Sequence, residues 1–159
     1  MRGQGRTPGG GYGRDVADET VSGSEALRRV TDELEIRSLI ANVARYADGA
    51  DVDDYVALFT EDAHWGMPGA PRTGWDDIRA GSEARRAAGE TGPGSRTRHM
   101  VTTIAVQVDG SDAATADSTW LFLVDTVEHP TIKLCGTYRD RFVRTAEGWR
   151  VARRDIAFG

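Results

Sequence analysis

Cysteine, lysine and histidine are scarce in this chain, and each shortage narrows what it can be. Cys135 stands alone, so no intrachain disulfide can form. Set in the apolar stretch "TIKLCGTY", it reads as a buried structural thiol rather than a nucleophile. Lys133 is the sole lysine, and arginine carries the rest of the positive charge. The formal net charge is −5, with both signs interleaved after the N-terminus. That excludes the dominant basic surface which sequence-independent nucleic-acid binding needs. No apolar run approaches the roughly 18–20 residues that span a bilayer, and the N-terminus lacks the apolar core of a signal peptide. The expected address is the cytoplasm, with no membrane partner. His64, His99 and His129 lie far apart and share no metal-ligand spacing.

What is present has the balance of one globular domain. Hydrophobic residues make up 39% of the 159 and charged residues 28%, enough of each for a core and a solvated surface. Residues 1–21 are rich in Gly and Arg without periodicity and read as a disordered tail. The folded domain is expected over 22–159. "SGSE" at 22–25 has the form of a capping box, with Ser22 as N-cap. A long amphipathic helix follows, carried by Leu27, Val30, Leu34, Leu39, Ile40, Val43 and Ala47, and Gly49 is placed to end it in a left-handed conformation. A short helix is expected over about 52–59, a short strand at 62–67, and a third helix after Thr73. From residue 96 the pattern changes to alternation. Strands are expected over 96–108, 113–127, 131–145 and 149–158, joined by turns at "DGSD" and "AEG". Helices first and a strand meander second give an α+β fold. A strongly bent antiparallel sheet wrapped by three helices would form a cone with one open end.

The densest chemistry lies in "YADGADVDD" at 46–54, where Asp48, Asp51, Asp53 and Asp54 crowd together. A calcium loop does not fit: counted from Asp51, the fifth position is Tyr55 and the sixth Val56; counted from Asp48, the third is Ala50. No metal is expected. Asp51 is a natural N-cap, and Asp53 and Asp54 suit the positive end of the short helix. Asp48 instead falls at the negative end of the long helix, where a carboxylate needs a partner. His99 opens the strand at 96–108. By alternation it shares a face with Val101, Thr103 and Ala105, opposite Met100, Ile104, Val106 and Val108. Trp65 and Met67 alternate on one strand, and Trp120, Phe122 and Val124 on another. They are ordinary core residues that would also wall a pocket for a flat or polycyclic ligand. Tyr46 lies about 200° from Asp48 around an ideal helix and joins a site there only if the helix end distorts. Tyr138 alternates with Asp140 and Phe142, against Arg139 and Arg141; the pattern leaves open which set looks inward.

Four stretches together carry a family resemblance: "ADGADVDDYVALFTEDAHW" (47–65), Gly74 ahead of "WDDI", "RHMVTTIAVQVDG" (98–110) and "GTYRDRFVRTAEGWRVARR" (136–154). In this order and spacing the chain, over roughly 25–157, resembles the SnoaL-like branch of the nuclear-transport-factor-two-like superfamily. That is the α+β cone of scytalone dehydratase, bile-acid dehydratase and several polyketide cyclases. The resemblance implies an Asp48–His99 acid–base pair with no cofactor. It also implies a small hydrophobic oxygenated substrate of polyketide or terpenoid type, and a homodimer or homotrimer. Where scytalone dehydratase carries two tyrosines and a second histidine, this chain has Ala47, Met67 and about Val124, so its water-positioning groups are absent. Since the fold hosts many activities, three readings follow: a dehydratase or cyclase working through Asp48 and His99, an epoxide-opening enzyme, or a non-catalytic binding or assembly subunit. An open cavity at His99 would favour either enzyme over the subunit.

Overall fold

The computed structural model describes residues 23–159. The expected tail at 1–21 and the Ser22 cap lie outside the described residues. The chain runs α1 (Gly23–Gly49), α2 (Val52–Val56), β1 (Phe59–Gly66), β2 (Arg72–Thr73), α3 (Gly74–Ala87), β3 (Arg98–Asp109), β4 (Ala113–Val124), β5 (Thr131–Thr145) and β6 (Gly148–Phe158). One six-stranded sheet has the order β2-β1-β6-β5-β4-β3. Every pairing is antiparallel except β1 with β6. The sheet is curved and unclosed, with α1 on β3 and α3 on β1. The expected α+β cone is the observed architecture, with β2 added in what reads as loop. No helix of the described residues is long and apolar enough to cross a membrane.

Capping chemistry explains how the helices begin. The Asp51 carboxylate accepts the Asp53 N–H at 2.9 Å and starts α2. At α3 the Thr73 side chain makes no cap bond. Instead the Asp77 carboxylate, one residue past the capping-box position, accepts the Thr73 N–H at 2.9 Å.

The long helix departs from expectation at both ends. Leu27, Val30 and Leu34 are exposed, and the N-terminal half instead buries Asp32, which takes ion-pair contacts from Arg144 and Arg28 and faces the Trp149 indole N–H. Below it, Ile36, Leu39, Ile40, Val43 and Ala44 enter the core. Gly49 is not left-handed. Carbonyls at the end of α1 and just past it are satisfied from outside: the Arg86 guanidinium donates to Tyr46 O at 3.0 Å and Ala50 O at 2.8 Å. A cation at this end also suits the helix dipole.

Two β-bulges set which side chains enter the cone. On β3, Thr102 pairs with Thr119 and Ala105 with Asp117, so β3 carries one extra residue, with Thr103 at φ 48°. Ile104, Val106 and Val108 therefore pack toward the core with Val101, on the face of His99. The strict alternation expected from sequence placed them opposite. On β6, Arg153 pairs with Arg141 and Val151 with Phe142, so the phase shifts at Ala152. Trp149 and Val151 are buried before it, Arg154 and Ile156 after it.

Alternation on β5 resolves cleanly: Tyr138, Asp140 and Phe142 are buried, and Arg139 and Arg141 are exposed. The same parity turns Cys135 outward, so this thiol is exposed and not the buried one its apolar context suggests. Gly136 pairs with Trp120 on one side and Phe158 on the other. A Cβ there would fall 1.9 Å from the Ala157 carbonyl oxygen and 2.8 Å from the Trp120 ring. Gly136→Ala should therefore destabilise the fold by about 1–3 kcal/mol, the usual cost of overpacking. Thermal melting checks this, and an unchanged melting temperature would contradict it.

Candidate functional site

At its C-terminal end α1 brings Asp48 against the start of β3. Asp48 is 6% exposed, so its carboxylate must be satisfied by protein. Both oxygens are used on one residue. Oδ2 accepts the backbone N–H of His99 at 2.9 Å, and Oδ1 lies 2.7 Å from His99 Nδ1. An ionised Asp48 requires a proton on Nδ1 at that distance. The imidazole is thus fixed in position, and in the neutral ring Nε2 is left as the acceptor. The ring packs on Phe122, with centroids 4.8 Å apart, and retains 19% side-chain exposure.

His99 lines a cavity of about 570 Å³ inside the cone. Trp65, Met67, Trp120, Phe122 and Val124 line it too, as their alternation suggests, and Tyr138 joins them from β5. Trp120 and Tyr138 stack at 5.6 Å with an interplanar angle of 17°, forming a flat aromatic wall. Tyr46 is not among the lining residues. The helix stays regular through this turn, so Tyr46 keeps its place on another side, with the Arg45 guanidinium 5.7 Å from its ring. Ala47, which precedes Asp48, reaches the cavity instead.

Several lining residues are missed by sequence reasoning. Arg154 is buried and forms a bidentate pair with Asp140, at 2.8 and 2.7 Å. Its guanidinium also sits 4.0 Å from the Tyr138 ring centroid. Burial opposes its charge, but the Asp140 carboxylate more than offsets this and holds Arg154 protonated. Asp140, inward with Tyr138 and Phe142, is the available signal: a carboxylate on a core face needs a cation. Tyr55 of α2 and Arg85 of α3 also line the cavity. Among the described residues no group of three or more His, Cys, Asp or Glu side chains converges as a metal site.

Burial pushes the Tyr55 and Tyr138 phenols up, against the opposing fields of Arg85 and Arg154 at Tyr55 and of Arg154 at Tyr138. Both remain hydrogen-bond donors at neutral pH. Their folded-state values exceed the unfolded value of about 10, so the folded state keeps protons that the unfolded chain releases. This contribution to stability is fully present below about pH 10 and falls as pH rises above it. Phenolate absorbance should show these two rings ionising only with alkaline unfolding, and Tyr55→Phe/Tyr138→Phe should be less alkali-sensitive. Ionisation of both rings in the intact fold near pH 10 would refute the assignment.

Comparison with known proteins agrees with this fold. The SnoaL-like domain matches residues 28–155. The uncharacterized protein Rv2910c of Mycobacterium tuberculosis is 28% identical over 130 residues, 81% of this chain and 86% of that protein. An NTF2-like protein with a cystatin-like fold from Novosphingobium aromaticivorans superposes with a TM-score of 0.75 at 29% identity, over 89% of this chain and 90% of that one. A candidate scytalone dehydratase from the same species gives a TM-score of 0.70 at 18% identity, over 84% and 88% of the two chains, a likeness of fold alone. With the match spanning α1 to β6 on this topology, the chain belongs to the SnoaL-like family of the NTF2-like superfamily.

Proposed function

We propose that this protein is a cofactor-independent lyase or isomerase, a dehydratase or cyclase, that uses Asp48 and His99 on an oxygenated polyketide- or terpenoid-like molecule. One observation carries the reading: a buried carboxylate fixes both the backbone and the ring of a histidine that lines a cavity with an aromatic wall. In this mechanism Nε2 of His99 takes a proton from the carbon next to a carbonyl, and Asp48 stabilises the imidazolium. Tyr55 or Tyr138 donates to the developing enolate oxygen. For elimination, the imidazolium returns its proton to the departing β-hydroxyl, and water leaves. For a double-bond shift, the proton returns at another carbon. For ring closure, the carbanion attacks an internal carbonyl and the proton goes to the new alkoxide. The apolar walls keep water away from each charged intermediate. Ala47, Met67 and Val124 all line the cavity and carry no hydroxyl or imidazole, so the water placement of scytalone dehydratase is not part of this mechanism.

The cavity at His99 supports an enzyme over an assembly subunit, whose pocket would be filled by side chains. The test is conversion of hydroxylated polyketide and terpenoid carbonyl compounds by purified protein without added cofactor, followed by mass spectrometry. Loss of water or formation of an isomer is expected from the wild type, and neither from His99→Ala. Full conversion by His99→Ala would overturn the reading. Consumption of epoxides alone would favour the epoxide-opening alternative.

A further inference from the structure

Two arginines line the cavity, Arg85 and Arg154, and Arg154 and the arginines near α3 are committed to protein partners. Arg154 is held by Asp140, Arg86 by the carbonyls of Tyr46 and Ala50, Arg72 by Asp77 and Arg79 by Asp53. Arg85, in the last turn of α3, lines the cavity and has neither an ion pair nor a hydrogen-bond partner for its guanidinium among the described residues. Its guanidinium lies over the Trp65 ring, 4.8 Å from the centroid. That contact holds the group against Trp65, while its N–H groups have no protein acceptor among the described residues and can serve a bidentate anion. The group is also close enough to Tyr55 for its field to oppose the effect of burial on that phenol. Lys133 adds a third cation to the lining, beside Arg85 and the paired Arg154, and Glu90 is the one carboxylate among the lining residues. The cavity is therefore apolar on its aromatic wall and cationic at Arg85.

We infer that Arg85 is a carboxylate-binding group, and that the substrate carries a carboxylate on its oxygenated carbon skeleton. The inference rests on the cavity being a substrate site, as proposed above, and not on the Asp48–His99 chemistry. A carboxylate at Arg85 would hold one end of the substrate while the rings lie along Trp65 and the Trp120–Tyr138 wall.

The test compares 2-naphthoate with its neutral isostere 2-naphthamide by calorimetry on the full chain. The wild type should bind the carboxylate about tenfold to a hundredfold more tightly, the range for a charge-assisted hydrogen bond. Arg85→Met keeps an unbranched apolar stem against Trp65 and should abolish the preference. Arg85→Lys should retain part of it, which separates loss of charge from loss of fold. His99→Ala should keep the preference intact. Equal binding of the two probes by the wild type, a preference surviving in Arg85→Met, or no binding of either probe at millimolar concentration would each overturn the inference. The two readings fail separately. Conversion that depends on His99 but ignores the carboxylate removes the role of Arg85 alone. A carboxylate preference without His99-dependent conversion removes the proposed chemistry alone.

Discussion

Arg154→Met should lower the unfolding free energy by about 3–5 kcal/mol, the usual cost of stranding one partner of a buried ion pair. The pair is among the most enclosed charges of the fold: the side chains of Asp140 and Arg154 are 0% and 3% exposed. Methionine keeps most of the stem that packs in the cone, so loss of volume is a minor part of the expected effect. What remains is a buried carboxylate with both guanidinium bonds removed. The Tyr138 ring also loses the cation 4.0 Å from its centroid. A second substitution distinguishes this account from general damage. Arg154→Met/Asp140→Leu removes both charges and should recover most of the loss, since a buried pair replaced by apolar groups is often close to neutral. Urea denaturation of the wild type, both single variants and the double variant gives the coupling energy. A double variant no more stable than Arg154→Met would show that the cost lies in packing and not in the stranded charge.

The position of Arg154 also shows where the sequence stops being readable. Strict alternation from Trp149 and Val151 carries the inward face of β6 to Arg153 and Asp155. The shift at Ala152 moves it to Arg154 and Ile156. The bulge on β3 does the same to Ile104, Val106 and Val108. A bulge depends on how the partner strand twists across the sheet, which no local window of residues contains. Asp48 was legible for the opposite reason. A carboxylate at the negative end of a helix is a local anomaly, visible within a few residues, and the family resemblance supplied its partner. Asp51 was legible for the same local reason, as a cap. Leu27, Val30 and Leu34 mislead because helical spacing records a stripe but not what covers it; the buried group in that half of α1 is Asp32, met by Arg144 from β5, over a hundred residues away. Cys135 misleads because its neighbours are apolar, whereas parity with buried Gly136 and Tyr138 turns it outward.

Asp48→Asn should reduce turnover by about 10²–10⁴-fold while leaving KM nearly unchanged, because Asp48 acts through His99 and is not among the lining residues. The size follows from the two bonds. Asparagine offers one acceptor where aspartate offers two, and His99 presents two donors. If the amide oxygen keeps the backbone N–H of His99, the amide nitrogen faces Nδ1, which must then give up its proton. The neutral ring would carry its proton on Nε2, and the cavity would meet a donor in place of a base. If the amide turns over, Nδ1 keeps its proton, but the amide nitrogen confronts the backbone N–H of His99 and that buried bond is lost. The first orientation removes the free Nε2, and the second keeps it but loses the bond that holds the His99 backbone in place. Imidazole nitrogen NMR shifts read the tautomer directly, with no substrate needed. They should report Nδ1–H in the wild type and a shift toward Nε2–H in Asp48→Asn. The two residues work as one unit, so Asp48→Asn/His99→Ala should be no slower than His99→Ala alone. Full turnover by Asp48→Asn, or an unchanged tautomer together with unchanged turnover, would leave Asp48 as a structural clamp on β3 and His99 without an orienting partner.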